Sequence, residues 1–216
     1  MRVKKIFLIL LTSLCLFGCT KITDMSFTDI TDIFTHQAKR ANRTRTGFKY
    51  YLPSGMTVKN YGTYNEILKA NRNYYYLYVD MISYVNKVEN KYDEKNDAYY
   101  SSEIKNGDKF GYLEINLIEK NQYLIEIMYN YAKIEVMVDG DNINEALIYS
   151  VNILNSIEYN MSVINNLLSN DTLNYTEEEF NLFETGVDNT NILERIEEPV
   201  EETDDSDDIK DTDYIS

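Results

Sequence analysis

The stretch KFGYLEINLIEKNQYLIEIMYNYAKIEVMVD, residues 109–139, decides the fold, because apolar and polar side chains alternate along almost all of it. Alternation with a period of two is typical of β-strands that bury one face. The stretch divides into three predicted strands, 109–118, 122–130 and 132–139, joined by very short connections. Strands joined so closely pair antiparallel, so this region predicts an antiparallel β meander.

The alternation also predicts which side chains face the core. In the last strand Ile134, Val136 and Val138 form the apolar set, and Lys133 and Glu135 form the polar set. The apolar set is predicted to be buried. Lys133 is predicted to lie on the solvent side, where its replacement by Ala would cost less than about 0.5 kcal/mol.

A helix is predicted directly after the meander, within residues 143–157, where apolar residues recur at helical spacing. Asn142 and Glu145 resemble the two ends of a capping box. A meander followed by such a helix predicts an α+β fold with two layers, in which the C-terminal amphipathic helix covers the antiparallel meander. Leu147, Val151 and Leu154 are the expected core positions of that helix.

Other elements are less sharply marked. A first helix is predicted from Phe27 onward, with Ser26 as its N-cap. Residues 74–85 alternate like a strand and 86–108 are polar, which predicts a strand and then a long connection that holds some local structure. Two short helices are predicted near 161–169 and 177–183.

The order of a Pro-containing strand, a meander and a long helix, within residues 48–158, resembles the Mog1/PsbP-like fold that recurs among bacterial lipoproteins. The resemblance implies an α+β architecture. A fold does not by itself specify a function, so it implies no activity.

The amino terminus has a basic start, MRVKK, followed by an apolar run at 6–17 that is too short to span a membrane. The sequence LFGC at 16–19 then resembles the lipobox of bacterial prolipoproteins. The resemblance implies cleavage after Gly18 and a diacylglycerol (lipid) anchor on Cys19. It therefore implies an extracytoplasmic lipoprotein whose first partner is the cell membrane, which it contacts through the lipid on Cys19.

Four segments follow from these patterns: a signal peptide at 1–18, a lipid anchor and short tether at 19–25, a single α+β domain at 26–184, and a tail at 185–216. The tail holds twelve acidic residues against two basic ones, a net charge of −10. Such a composition predicts a disordered acidic tail.

Net charge excludes one large class of function. The whole chain carries a formal charge of −15. Nucleic-acid-binding proteins neutralise phosphates with Lys and Arg, so no nucleic-acid partner is expected. One basic segment, KRANRTR at 39–45, has two interpretations: contact with anionic lipid head groups, or a solvated helix end followed by a loop.

Catalytic and metal-binding motifs are weak. His36 is the single histidine, and Cys19 would be lipidated, so zinc sites of the Cys/His kind are excluded. The sequence DGDN at 139–142 begins like a calcium loop but lacks the later ligands, which favours a strand-to-helix turn. We therefore predict no catalytic residue, no metal and no cofactor.

Tyrosines dominate the aromatic composition, with twenty Tyr and no Trp. Tyr74, Tyr76, Tyr78 and Tyr84 are predicted to form an interaction face, because Tyr offers a large contact area at low entropic cost. The other interpretation is that these rings complete the core.

The sequence thus favours a non-enzymatic binding or scaffolding module whose partner is an unidentified envelope protein or polymer. The alternative is a carboxylate-based hydrolase or ligand-binding lipoprotein that acts on a cell-wall polymer. A deep pocket with converging carboxylates would favour the hydrolase, and a flat Tyr-lined face would favour the module.

Overall fold

The structure, a computed structural model, describes residues 24–62, 64–89 and 91–169. Gly18, Cys19, the third predicted helix at 177–183 and the acidic tail lie outside the described residues. The helices are α1 (Phe27–Thr35), α2 (Met81–Asn86), α3 (Ile143–Asn155) and α4 (Met161–Ser169). The strands are β1 (Arg43–Arg45), β2 (Phe48–Tyr50), β3 (Thr57–Tyr61), β4 (Asn65–Ala70), β5 (Asn73–Val79), β6 (Tyr100–Asn106), β7 (Lys109–Glu119), β8 (Gln122–Tyr129), β9 (Ala132–Asp139) and β10 (Glu158–Tyr159).

Seven strands form the main sheet in the order β3-β4-β5-β9-β8-β7-β6. Every neighbouring pair is antiparallel, and β1, β2 and β10 form a second, three-stranded antiparallel sheet. The prediction of an α+β fold built on an antiparallel meander is therefore confirmed. The three strands expected within residues 109–139 are β7, β8 and β9.

Both helices marked clearly in the sequence are present. Helix α1 begins after Ser26, whose hydroxyl accepts a hydrogen bond from the Asp29 amide at 3.1 Å, as expected for an N-cap. Helix α3 contacts α1, β8 and β9, and its Leu147, Val151 and Leu154 are buried. Burial of each such side chain contributes about 1.5–3 kcal/mol.

The predicted capping box at the start of α3 is wrong. Asn142 makes no side-chain capping bond and instead ends a 3₁₀ turn, Gly140–Asn142. The Glu145 carboxylate lies within hydrogen-bond distance of the Asn71 side chain at 3.3 Å. A short 3₁₀ turn therefore precedes the helix in place of a capping box.

Two other predictions are corrected. The strand predicted over 74–85 ends at Val79, because the Asp80 side chain accepts hydrogen bonds from the amides of Ile82 and Ser83 and starts helix α2. The connection predicted over 86–108 contains strand β6. That strand is an edge strand, and its polar sequence reflects its position beside solvent.

The prediction that Lys133 lies exposed is also wrong. Lys133 and Glu135 are on the sheet face that alternation assigns to them, yet their exposed fractions are only 8% and 3%. Their neighbours across the strands are large: Tyr78 and Met128 flank Lys133, and Tyr76 and Glu126 flank Glu135. Large side chains on the two neighbouring strands therefore help to bury the polar side of this central strand.

Candidate binding face of the sheet

The main sheet has a core face and an opposite face that is rich in Tyr and Glu. The core face carries Leu77, Ile134 and Ile127, which are adjacent across β5, β9 and β8 and are completely buried. Because side chains alternate along each strand, the intervening residues point the other way. We call that opposite side the polar face. Its central members are Tyr74, Tyr76, Tyr78, Tyr112, Glu114, Glu126, Lys133 and Glu135.

Three carboxylates form one row across the polar face. Glu114 on β7 pairs with Glu126 on β8, and Glu126 pairs with Glu135 on β9. Directly opposite residues have Cβ atoms about 5 Å apart, and like charges at that spacing are destabilising. Tyr76 on β5 pairs with Glu135 and extends the row by one aromatic ring. The row therefore needs compensating groups.

Glu114 at one end of the row is compensated by several donors. The Lys95 ammonium lies 3.0 Å from its carboxylate, Asn116 donates at 2.7 Å and the Tyr92 hydroxyl donates at 3.0 Å. Burial opposes ionisation of Glu114, but the hydrogen bonds from Asn116, Lys95 and Tyr92 outweigh it and lower the pKa of the carboxyl. Glu114 is thus held as an anion.

Each of the other two carboxylates also has a compensating group beside it. The Tyr112 hydroxyl donates to Glu126, and the Tyr112 ring stacks on Tyr92 with centroids 4.3 Å apart. Burial, with Glu126 nearby, raises the pKa of Tyr112, so its hydroxyl keeps its proton as a donor. The Lys133 ammonium lies 2.9 Å from the Glu135 carboxylate.

Three of the four predicted Tyr residues share this face. Tyr74, Tyr76 and Tyr78 are alternate residues of β5 on the polar side, where Tyr74 and Tyr76 are half-buried and Tyr78 is buried. The Lys69 ammonium lies 4.6 Å from the centroid of the Tyr74 ring. Burial raises the pKa of Tyr76, so it stays a neutral hydroxyl.

Tyr84, the fourth predicted member, lies elsewhere. It belongs to helix α2, stacks on Tyr159 with centroids 3.8 Å apart, and has the Lys87 ammonium 3.9 Å above its ring. The Tyr159 hydroxyl donates to the carbonyls of Asn130 and Tyr131. Tyr84 therefore packs α2 against β10 and does not lie with the Tyr residues of β5.

The basic segment at 39–45 is turned partly inward. Arg43 donates to Glu66 from two nitrogens, and the Arg45 Nε lies 2.9 Å from the same carboxylate. The Tyr50 hydroxyl donates to Glu66 as well, and the exposed fraction of Glu66 is 1%. The bond to Glu66 raises the pKa of Arg43. The contacts with Glu66 therefore join β1 and β2 to β4. They engage Arg43 and Arg45 within the protein.

The remaining sequence candidates do not assemble a catalytic or metal site. His36 is exposed at the end of α1, with Nδ1 3.5 Å from an Asp32 carboxylate oxygen. Among residues 24–62, 64–89 and 91–169 no group of three or more His, Cys, Asp or Glu side chains is placed to hold a metal ion. Of residues 139–142, Asp139 is the last residue of β9 and Gly140–Asn142 form the 3₁₀ turn before α3.

One open cleft lies away from the polar face. Its volume is about 460 Å³, and Met25, Phe27, Tyr99, Ile143 and Asn144 form much of its wall. Asp141 is the carboxylate among its lining residues. The three carboxylates of the row are therefore not among the residues that line this cleft.

Sequence reasoning found the Tyr residues of β5 but missed Tyr112, Glu126, Lys133 and Glu135. Each occupies the polar phase of an alternating strand, which was the available signal. What the sequence could not supply was the register, which places these residues of β7, β8 and β9 beside the Tyr residues of β5.

Within the described part of the chain, no helix is both long and apolar enough to cross a membrane. No protein-family model, no curated protein and no solved structure matches this chain.

Proposed function

We propose that the protein is an outward-facing lipoprotein of the cell membrane, anchored through lipid on Cys19, and that its polar face binds an envelope protein or polymer without catalysis. The observation that carries the binding proposal is the set of half-buried side chains at the centre of that face, Tyr74 and Tyr76 of β5 with Glu126 of β8. Carboxylates accept hydrogen bonds from hydroxyl, amide and cationic groups, and Tyr rings supply flat contact area.

The anchor is tested separately from the face. Wild-type protein produced in a bacterium should label with a palmitate analogue and partition into detergent, and Cys19→Ala should do neither. The control is His36→Ala, an exposed position in the folded domain that should leave labelling unchanged. Labelling that persists in Cys19→Ala would contradict the anchor.

The face is tested by site-specific crosslinking in native cells. A photoreactive phenylalanine at position 76 should give a discrete adduct, and the same group at Tyr61 should not. Tyr61 is 63% exposed, but the register places it with Glu66 on the other side of the sheet. The adduct at 76 should weaken in Glu126→Gln. Equal adducts at both positions would contradict a specific face.

The alternative, a hydrolase acting on a wall polymer, rests on the closeness of Glu126 and Glu135. Glycoside hydrolysis needs one carboxyl with a raised pKa as proton donor and an ionised carboxylate near it, both within reach of the sugar. Glu114 has a lowered pKa, and the exposed fraction of Glu135 is only 3%. The geometry therefore favours binding. Release of dyed fragments from labelled wall polymer, abolished by Glu126→Gln, would reverse this preference.

A further inference from the structure

Exposed apolar side chains gather at the end of the domain where the chain arrives from Cys19. Tyr99, Leu117 and Ile118 are 56%, 54% and 38% exposed. The Tyr99 ring lies 4.9 Å from Tyr123, and Tyr123 pairs with Leu117 across the β7–β8 hairpin. We call Met25, Phe27, Tyr99, Leu117 and Ile118 the tether-end patch.

The patch is joined to the start of the described chain. The Asn144 side chain donates to the Met25 carbonyl at 3.0 Å, and the Phe27 ring lies 6.4 Å from Tyr99. Met25 lies six residues beyond Cys19 in the sequence, and six residues span at most about 20 Å. A lipid on Cys19 would therefore hold this end of the domain within about 20 Å of the bilayer.

The basic segment lies at the other end. Helix α1 begins at Phe27, beside Tyr100 at the start of β6, and ends at Thr35, whose carbonyl accepts from Asn106 at the end of β6. Residues 39–45 follow beyond that end. Arg43 and Arg45 are also engaged by Glu66. For residues 39–45 to contact the head groups, the end of the domain opposite the tether-end patch would have to face the bilayer.

We infer that the tether-end patch lies in the interfacial layer of the bilayer, so that the β7–β8 hairpin faces the membrane. The inference rests on the proposed lipid anchor. Tyr is favoured at such interfaces because its ring is apolar and its hydroxyl is polar. Glu119, Asp139 and Asp141 are exposed there against Lys120, so neutral head groups suit it better than anionic ones.

The chain contains no Trp, so a single introduced Trp is the sole indole reporter. Full-length lipidated protein carrying Leu117→Trp or Tyr99→Trp would be reconstituted in phosphatidylcholine vesicles with lipids brominated near the head group. We expect several-fold quenching and a blue shift at both positions. The matched control is Val88→Trp, since Val88 is a 39% exposed apolar residue after α2, near the β8–β9 turn at the opposite end.

A second variant tests whether the apolar side chains hold the contact. Adding Leu117→Asn and Ile118→Asn to the Tyr99→Trp reporter should abolish most of its quenching, whereas Tyr61→Asn should not. Equal quenching at positions 88, 99 and 117, or none at any of them in protein that floats with the vesicles, would overturn the inference alone. Protein that fails to float would overturn the anchor and the inference together.

Discussion

Glu126 on β8 and Glu135 on β9 stand directly opposite each other on the polar face, so two carboxylates share one cross-strand position in the middle of the main sheet. The arrangement depends on Tyr112 and Lys133, which contact one carboxylate each. Bringing these carboxylates together therefore costs free energy. Removing either contact should lower the free energy of unfolding.

Lys133→Ala should lower the free energy of unfolding by about 2–4 kcal/mol, because it leaves the buried Glu135 carboxylate without its cation. The control is Lys49→Ala. Lys49 also pairs with a carboxylate, Glu158, at 2.9 Å, but both side chains are about half exposed, so the loss should be below about 1 kcal/mol. Urea unfolding measures both. Similar losses for the two variants would contradict the assigned role of Lys133.

Leu154→Ala should cost about 2–5 kcal/mol, as large-to-small changes in a packed core do. Leu154 is completely buried in α3, whereas Leu117 is 54% exposed in β7, so Leu117→Ala serves as the control and should cost less than about 0.5 kcal/mol. Denaturant unfolding of the soluble domain without residues 1–18 is the measurement. A small loss for Leu154→Ala would refute the packing of α3 on the sheet.

Tyr129→Phe should stabilise the protein by about 1 kcal/mol. The Tyr129 hydroxyl is buried and has no hydrogen-bond partner among the described residues, so removing it removes a desolvation cost. Tyr50→Phe is the matched change with the opposite sign, because the Tyr50 hydroxyl donates to buried Glu66. Thermal unfolding of the two variants is the measurement. A Tyr129→Phe variant less stable than wild type would mean that the Tyr129 hydroxyl has a hydrogen-bond partner.

Alkaline pH should unfold the protein. Burial raises the pKa of Tyr129 to about 12 and raises the pKa values of Tyr50 and Tyr75 further. Above pH of about 10 the unfolded state loses Tyr protons that the folded state keeps, so stability falls as pH rises through the folded pKa values. Lys109 acts in the opposite direction, because burial lowers its pKa.

The measurement for this prediction is the free energy of urea unfolding between pH 9 and about 12, together with Tyr ionisation followed by ultraviolet absorbance. Tyr129→Phe should show a shallower loss of stability than wild type. Tyr61→Phe, at an exposed position, should follow the wild-type curve. A flat stability curve across this range would contradict the raised pKa values.

The sequence predicted most of the meander and the helices α1, α3 and α4, because those elements carry local signals. Alternation marked β7, β8 and β9, and Ser26 marked the start of α1. Strand β6 was missed because its sequence, YSSEIKN, is polar along most of its length. Helix α2 was missed because the apolar residues that follow Asp80 continue the alternation of β5 by coincidence.

The candidate site was less predictable than the fold. Period two assigns Lys133 and Glu135 to a face, but their burial depends on Tyr76, Tyr78 and Glu126 from other strands. Alternation alone groups Tyr84 with the Tyr residues of β5, but Tyr84 belongs to helix α2. The Mog1/PsbP-like resemblance and the lipobox stay predictions.

The strand order of the main sheet has a consequence for how the chain folds. Strands β3-β4-β5 and β6-β7-β8-β9 are two meanders whose internal pairings join consecutive strands, and β5–β9 is the seam between them. Consecutive strands meet early because their loops are short, whereas the seam must close over residues 80–131. We therefore expect the joining of the two meanders to be the slow step, so that substitutions on the facing edges of β5 and β9 change the rate of folding as well as the stability.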